Sequence, residues 1–238
     1  NGLRPTILSG DHGFDKKLAG TLDGVNFQVI KTWFHKQGFS IMPDLIIWCR
    51  KNLQKYDVVH MHVYRTFQNV ILYYYCRKYK IPYIIDAHGS VPYFRKKIFL
   101  KKLFDLFIGR SMLKNACKLL AESEVGILEY KEINPQLSDF QLKVIYPSFN
   151  LKEFSYSQEK NKFRKLQNLH FDTNMIIFVG RLSPIKGLEF LLKSFAKLLT
   201  KLPNSKLYLI GDDGGSGYIS ILKKLISDYK LVESVVFT

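Results

Sequence analysis

Arg181 and Lys186 stand five positions apart in FVGRLSPIKG, residues 178–187, flanked by Gly180 and Gly187. The apolar run MIIFVG leads in, and leucines at helical spacing follow. A strand that ends in Gly180 and hands over to a helix gathers backbone N–H groups and the positive end of a helix dipole at one point. An arginine fork at that point suits two phosphate oxygens at once. A lysine at the start of the helix opposes the dipole, which costs stability unless an anion is close. Pro184 stiffens the loop near the helix start. Gly187 removes a side chain where a ligand or another backbone could approach. Two readings stand: a cradle for a phosphorylated ligand, or a plain strand–helix turn with solvated cations. The pattern is neither a Walker loop, which ends in G-K-[ST], nor G-x-G-x-x-G.

The other candidates lie at strand ends. His60 and His62 alternate on one strand and so share a face. As a metal pair they lack a third ligand at any readable spacing, so the sequence reads them as structural or cleft-lining, with no metal and no cofactor expected. His88 closes another strand and precedes Gly89; it is either a turn histidine or a site residue. Asp86 shares its face and either orients it or is a satisfied strand-end carboxylate. Ser123 and Glu124 close a third strand. Glu122 and Glu124 have no second carboxylate at a readable spacing, so the two-carboxylate logic of glycoside hydrolysis finds no support.

The elements that must position these residues are legible as alternation. PTILSG, VNFQVIKTW, YDVVHMHV, IPYIIDAHG, CKLLAES and KVIYPS read as strands, mostly continuous runs that suit a sheet covered on both faces. Helical patterns separate them. That alternation predicts an α/β fold with a doubly wound parallel sheet, whose ligands bind beyond the carboxyl ends of the strands. Residues 1–150 form one such domain, 151–173 a polar linker, and 174–238 the start of a second. In the second, Leu188, Leu191, Leu192, Phe195, Leu198, Leu199 and Leu202 mark one helix face. Leu222, Leu225, Ile226 and Tyr229 mark another. Between these helices PNSKLYLIGDDGGSG supplies a turn, a strand and a glycine-rich loop containing Gly211 and Asp212.

The chain has 238 residues, 47% hydrophobic, with a net charge of +16. Such a surface attracts anions of several kinds. Cys49, Cys76 and Cys117 lie far apart, without metal spacing, and are expected to be reduced and buried, as in a cytosolic chain. No apolar run reaches the length of a membrane span, and no signal peptide opens the chain. Residues 93–114, YFRKKIFLKKLFDLFIGRSMLK, mix cations with Ile, Leu and Phe. They read as an amphipathic helix packed on the sheet, or as an interfacial helix on an anionic membrane. The aromatics are more simply core residues than stacking platforms, so nucleic acid is not expected as a partner.

FVGRLSPIKGLEFLLKSFAKL resembles the donor-binding signature of retaining glycosyltransferases of family 4, which have the GT-B fold of two Rossmann-like domains. YDVVHMHVYRTF, PYIIDAHGSV, LLAESE, KVIYPSFNLKEF and LYLIGDDGG resemble further segments of that family, in the family's order. The resemblance implies transfer of a sugar, with retention, from a nucleotide-diphosphate-sugar to a glycan or lipid-linked acceptor at the cytoplasmic membrane face, as in cell-envelope polysaccharide synthesis. It implies that Arg181 and Lys186 hold the diphosphate between matching glycines Gly180 and Gly187, and that His88 is the catalytic histidine beside the donor sugar. Gly211 and Asp212, with the other strand-end residues, would line the cleft. Ser148-Phe149 replaces the family's N-G, and G-D-D-G-G replaces its G-x-G. The family's first strand would precede Asn1 and its E-x7-E motif would follow Thr238. On that reading the second domain is truncated, and these 238 residues alone are expected to be inactive and poorly soluble. The competing expectation is a non-catalytic basic module that binds glycans or membranes.

Overall fold

The computed structural model describes residues 2–36, 38–93, 98–154 and 161–238. The chain divides into two compact units, Asn1–Phe149 and Asn150–Thr238.

In the first unit β1 (Thr6–Gly10) leads through α1 (Lys16–Ala19) to β2 (Asn26–Ile30), and the two strands pair in parallel. A short antiparallel hairpin, β3 (Phe34–Lys36) and β4 (Phe39–Ile41), comes next and was not legible in the sequence. After α2 (Asp44–Asn52) the chain alternates: β5 (Val59–His62), α3 (Phe67–Tyr79), β6 (Tyr83–Asp86), a helical run, β7 (Lys118–Ala121), α6 (Glu124–Ile133) and β8 (Leu142–Val144). The helical run holds α4 (Ile98–Phe104), a π-helical turn (Asp105–Gly109) and α5 (Arg110–Lys114). Parallel neighbours need a crossover, and α3, this run and α6 supply three. The result is a parallel sheet in the order β5-β6-β7-β8. Among the described residues β1–β2 forms a separate two-stranded piece. All six strands read from this part of the sequence are present.

Side chains explain the helix boundaries that face the site. The Thr66 hydroxyl accepts the Asn69 N–H at 3.2 Å and starts α3. Lys80, at φ 58°, ends it in the left-handed conformation. Ser123 caps α6 by accepting the Gly126 N–H. Met61, Ile85 and Leu119 are fully buried on adjacent strands and centre the core. Burying each contributes about 1.5–3 kcal/mol.

A buried clasp fixes the helical run against the end of β5. Arg65 forks onto Asp105, with Nη2 to Oδ2 at 2.6 Å, and Tyr93 donates to the same oxygen at 2.7 Å. Gly109 passes so close to Tyr64 and Asp105 that a Cβ would stand 2.3 Å from the Tyr64 hydroxyl. Residues 94–97, which carry three of the cations of the basic stretch, lie outside the described residues. Over 98–107 the packing differs from the expected amphipathic helix: only Phe104 joins the core edge, while Phe99, Leu100, Leu106 and Phe107 are exposed. The clasp at Asp105 and the approach at Gly109 hold the backbone here, in place of an apolar stripe. Cys49 and Cys76 are buried, and burial pushes each thiol up to about 12. Cys117 corrects the expectation: it is exposed, because it precedes β7 at the rim of the sheet and bonds the Tyr83 carbonyl from there.

The second unit opens with α7 (Leu151–Phe154) and α8 (Lys162–Leu166). Residues read as linker pack on this unit: Phe163 meets the Tyr208 ring edge-on at 5.2 Å, and Arg164 holds the carbonyls of His170 and Thr173. β9 (Asn174–Val179), α9 (Leu188–Leu199), β10 (Ser205–Ile210), α10 (Tyr218–Asp228) and β11 (Val235–Phe237) follow, with parallel order β11-β10-β9. Leu188, Leu192 and Phe195 bury the α9 stripe, and Leu222 and Ile226 the α10 stripe. Leu202 is exposed because α9 has ended at Leu199. Among the described residues no helix is long and apolar enough to cross a membrane.

Candidate functional site

The second unit carries two strand–helix turns that face the same chemical problem in opposite ways. An α-helix leaves its first N–H groups without intrahelical partners. At α10 the chain fills them itself. Asp213 accepts the N–H groups of Gly215 at 3.0 Å and Ile219 at 3.1 Å. The Ile219 N–H and its neighbours hold that carboxyl below the usual carboxylate range. At α9 no side chain does the same among the described residues. The helix starts after Gly187, at φ 68°, with no side-chain cap. Pro184–Lys186 forms a 3₁₀ turn just before it.

Around that uncapped start stand Arg181 and Lys186, both exposed. Among the described residues neither makes a hydrogen bond or ion pair. The Ser183 hydroxyl is buried there without a hydrogen-bond partner. The loop is held from behind: the Gly180 N–H donates to the Ile210 carbonyl and the Leu182 N–H to that of Asp212. Leu182 is fully buried. Position 211 must be glycine, since a Cβ there would stand 2.2 Å from the Gly180 carbonyl oxygen. Asp212, expected in a cleft, uses its carboxylate on the Gly214 N–H at 2.7 Å. So the turn brings together two exposed cations, a hydroxyl without a hydrogen-bond partner among the described residues and uncapped N–H groups, which are the kinds of group that bind anions at helix starts.

The first unit gathers its strand-end residues into one chain of contacts. His62 and Asp86 are register partners on β5 and β6. Glu122 accepts from His88 Nδ1 at 2.9 Å, and His88 Nε2 meets His62 Nδ1 at 2.8 Å. A carboxylate only accepts, so His88 Nδ1 carries the proton. With His88 neutral its Nε2 accepts, and His62 Nδ1 donates. Asp86 Oδ1 lies 3.6 Å from His88 Nδ1 and is buried without a hydrogen-bond partner. The His60 and His62 rings lie 4.4 Å apart between centroids, tilted by 31°. Burial, with the neighbouring histidines, holds His60 below its ordinary pKa.

Two strained residues mark these strand ends. His88 has φ 46° and Val63 φ 64°, a conformation foreign to β-branched residues. Asn69, buried on α3, secures this bend by donating to the carbonyls of His62 and Val63. Beside His88 a cavity of about 130 Å³ opens against Gly89, Glu122, Ser123 and Glu129. A wider recess of about 430 Å³ lies at the ends of β1 and β2, with Trp33 and the stacked rings of His12 and His35 on its wall.

His62 and Asp86 reach His88 directly, Gly89 and Ser123 line the cavity beside it, His60 lies against His62, and Glu122 joins them, whereas Glu124 opens α6. Sequence reasoning looked for Glu122 to pair with a carboxylate; its partner is a histidine 34 positions away, visible only once β6 and β7 are aligned. Ser183 and Asp213 were also missed. For Asp213 a signal existed, an aspartate a few residues before a helix.

Residues 159–238 match the family model for glycosyl transferases group 1. The match takes in most of the second unit. The chain is 27% identical over 227 residues to an uncharacterized glycosyltransferase of Methanocaldococcus jannaschii, covering 88% of this chain and 55% of that protein. It is 21% identical over 206 residues to the D-inositol 3-phosphate glycosyltransferase of Corynebacterium jeikeium, covering 84% of this chain and 48% of that one. The chain thus spans about half the length of these curated relatives. Among solved structures, HepE of Anabaena in complex with UDP-glucose superposes with a TM-score of 0.72 at 18% identity, over 97% of this chain and 60% of that one. Sucrose-phosphate synthase of Thermosynechococcus elongatus gives 0.63 at 18%, over 99% and 70%. The glycosyltransferase fold is GT-B, as the motif resemblance implied.

Proposed function

We propose that this chain is the part of a glycosyltransferase that grips a nucleotide-diphosphate-sugar through the turn between β9 and α9. The observation that carries the reading is the contrast between the two turns of the second unit. α10 is closed by Asp213, whereas α9 is open and flanked by Arg181 and Lys186. A diphosphate would cap α9, take the arginine fork and the lysine, and give the Ser183 hydroxyl a partner. The same groups would stabilise the negative charge that develops on a leaving diphosphate, which is the larger electrostatic demand of such a transfer. HepE, a structural neighbour, was solved with UDP-glucose, which supports a nucleotide-sugar as donor.

On this reading His88 positions or polarises groups near the reacting sugar, with Glu122 fixing its tautomer. Transfer proceeds with retention, to a glycan or lipid-linked acceptor. The rings of Trp33, His12 and His35 offer faces on which an acceptor sugar would stack. The exposed Phe99, Leu100, Leu106 and Phe107 beside Lys102 favour docking on an anionic membrane at its cytoplasmic face. The reaction is tested with the full-length protein, by following nucleoside diphosphate release from a panel of nucleotide-sugars and reading the product anomer by NMR. Release that depends on Arg181 and gives a retained anomer supports the proposal. A lack of release with every donor, or an inverted product, refutes it.

A further inference from the structure

We propose that His60, His62 and Asp86 form a binding site for a borderline divalent transition metal, of which zinc is the type case. His60 and His62 are alternate residues of β5 and project from one face; Asp86 is the register partner of His62 on β6. One ligand atom from each lies within 4.8 Å of the other two. Around a tetrahedral zinc with bonds of about 2.0–2.1 Å, such atoms stand about 3.4 Å apart. Side-chain rotations that move each atom by about an ångström close the site. Imidazole and carboxylate together suit zinc and its neighbours, and three protein ligands leave one position open.

Three observations point to a cation. With His88 neutral, the hydrogen-bond chain leaves the lone pair of His62 on Nε2, because Nδ1 then donates to His88. His88 is itself backed by Glu122. A ligating histidine whose other N–H is held by a carboxylate-supported partner is the outer-shell arrangement that metal sites use. Asp86 Oδ1 is buried and unpartnered, and its nearest donor, His88 Nδ1, is already committed to Glu122. Finally, the His60 ring makes no side-chain hydrogen bond among the described residues, and it is exposed, which gives the ion an entry path.

Asp86, His88 and Glu122 form a second set within the same distance. That set must first break the 2.9 Å bond between His88 and Glu122; the His60 set leaves that bond in place. Sequence spacing could not reveal the His60 set, since its third ligand lies across a strand pair.

The test is a titration of the full-length protein with Co²⁺ and Zn²⁺, read by calorimetry and by the visible bands of bound cobalt. One equivalent is expected. His60→Ala and Asp86→Asn should each weaken binding by more than the roughly 10–100-fold of an outer-shell change, and Glu122→Gln by about that 10–100-fold. His60 is exposed, so His60→Ala should leave thermal unfolding of the metal-free protein unchanged, which separates ligand loss from misfolding. An absence of stoichiometric binding overturns the proposal, as does undiminished binding by His60→Ala. Abolition by Glu122→Gln with His60→Ala spared moves the ion to the second set and also overturns it.

Discussion

Replacing Gly211 with alanine should separate a steric requirement from a merely conformational one. Gly211 sits at φ 135°, and the added Cβ would meet the Gly180 carbonyl oxygen at 2.2 Å and its carbon at 3.0 Å. Both are backbone atoms at the ends of paired strands, so neither can swing aside. Overpacking of this kind costs about 1–3 kcal/mol, and the strained backbone conformation adds about 1–3 kcal/mol. The expected loss is therefore about 2–6 kcal/mol, a large part of the ~5–15 kcal/mol that a domain has. Gly187 is the control. It is left-handed at φ 68°, but a Cβ there meets nothing within 4 Å, so Gly187→Ala should lose only the handedness penalty of about 1–2 kcal/mol. Urea unfolding monitored by circular dichroism measures both, with the midpoint shifting and the slope unchanged. Equal losses, or a smaller loss at Gly211, would show that the two strand ends are not pinched together and would undo the account of how the Arg181 loop is held.

Asp213 supplies a pH dependence. Its folded pKa is depressed by the Ile219 N–H, so its contribution is present above the unfolded carboxyl value of about 3.9 and is lost as pH falls through the folded value. Thermal unfolding measured below about pH 4 should therefore drop less steeply in Asp213→Asn than in the parent; identical acid limbs would contradict the cap. Arg65→Ala leaves the Asp105 carboxylate buried without its counter-charge, held by Tyr93, and should cost about 3–5 kcal/mol by chemical unfolding, whereas a surface-like change would mean the clasp is not a clasp. Phe99→Ser combined with Lys102→Glu should reduce co-sedimentation with anionic vesicles by about tenfold or more, at about 1 kcal/mol per charge near the surface, and leave weak binding to neutral vesicles as it was. Undiminished anionic binding would place the membrane contact elsewhere.

The strands were legible because parallel, covered strands are written as continuous apolar runs, and the α9 and α10 faces because leucines recur every three or four residues. The turn at Gly180–Gly187 was legible as two cations beside a helix start. Its decisive property was not, because openness at α9 is only meaningful beside the closed start of α10. The hairpin at Phe34–Ile41 escaped notice because its three-residue strands are too short to show a period. The relay through Glu122, His88 and His62 depends on register between β5, β6 and β7, which no spacing along the chain encodes. The clasp of Arg65 with Asp105 spans 40 positions and explains why residues 98–107 break the expected stripe.

The central claim is that the β9–α9 turn binds a diphosphate. Its most direct test is calorimetric titration of UDP and of inorganic pyrophosphate into the full-length protein, its Arg181→Ala variant and the Arg181→Ala/Lys186→Ala double variant. Each lost charge-assisted hydrogen bond is worth about 1.5–3 kcal/mol, or roughly 10–150-fold in Kd. Because both side chains are exposed and unpaired among the described residues, unfolding midpoints should stay put while affinity falls stepwise. Parent-like affinity for both ligands in the double variant, with stability intact, would contradict the account.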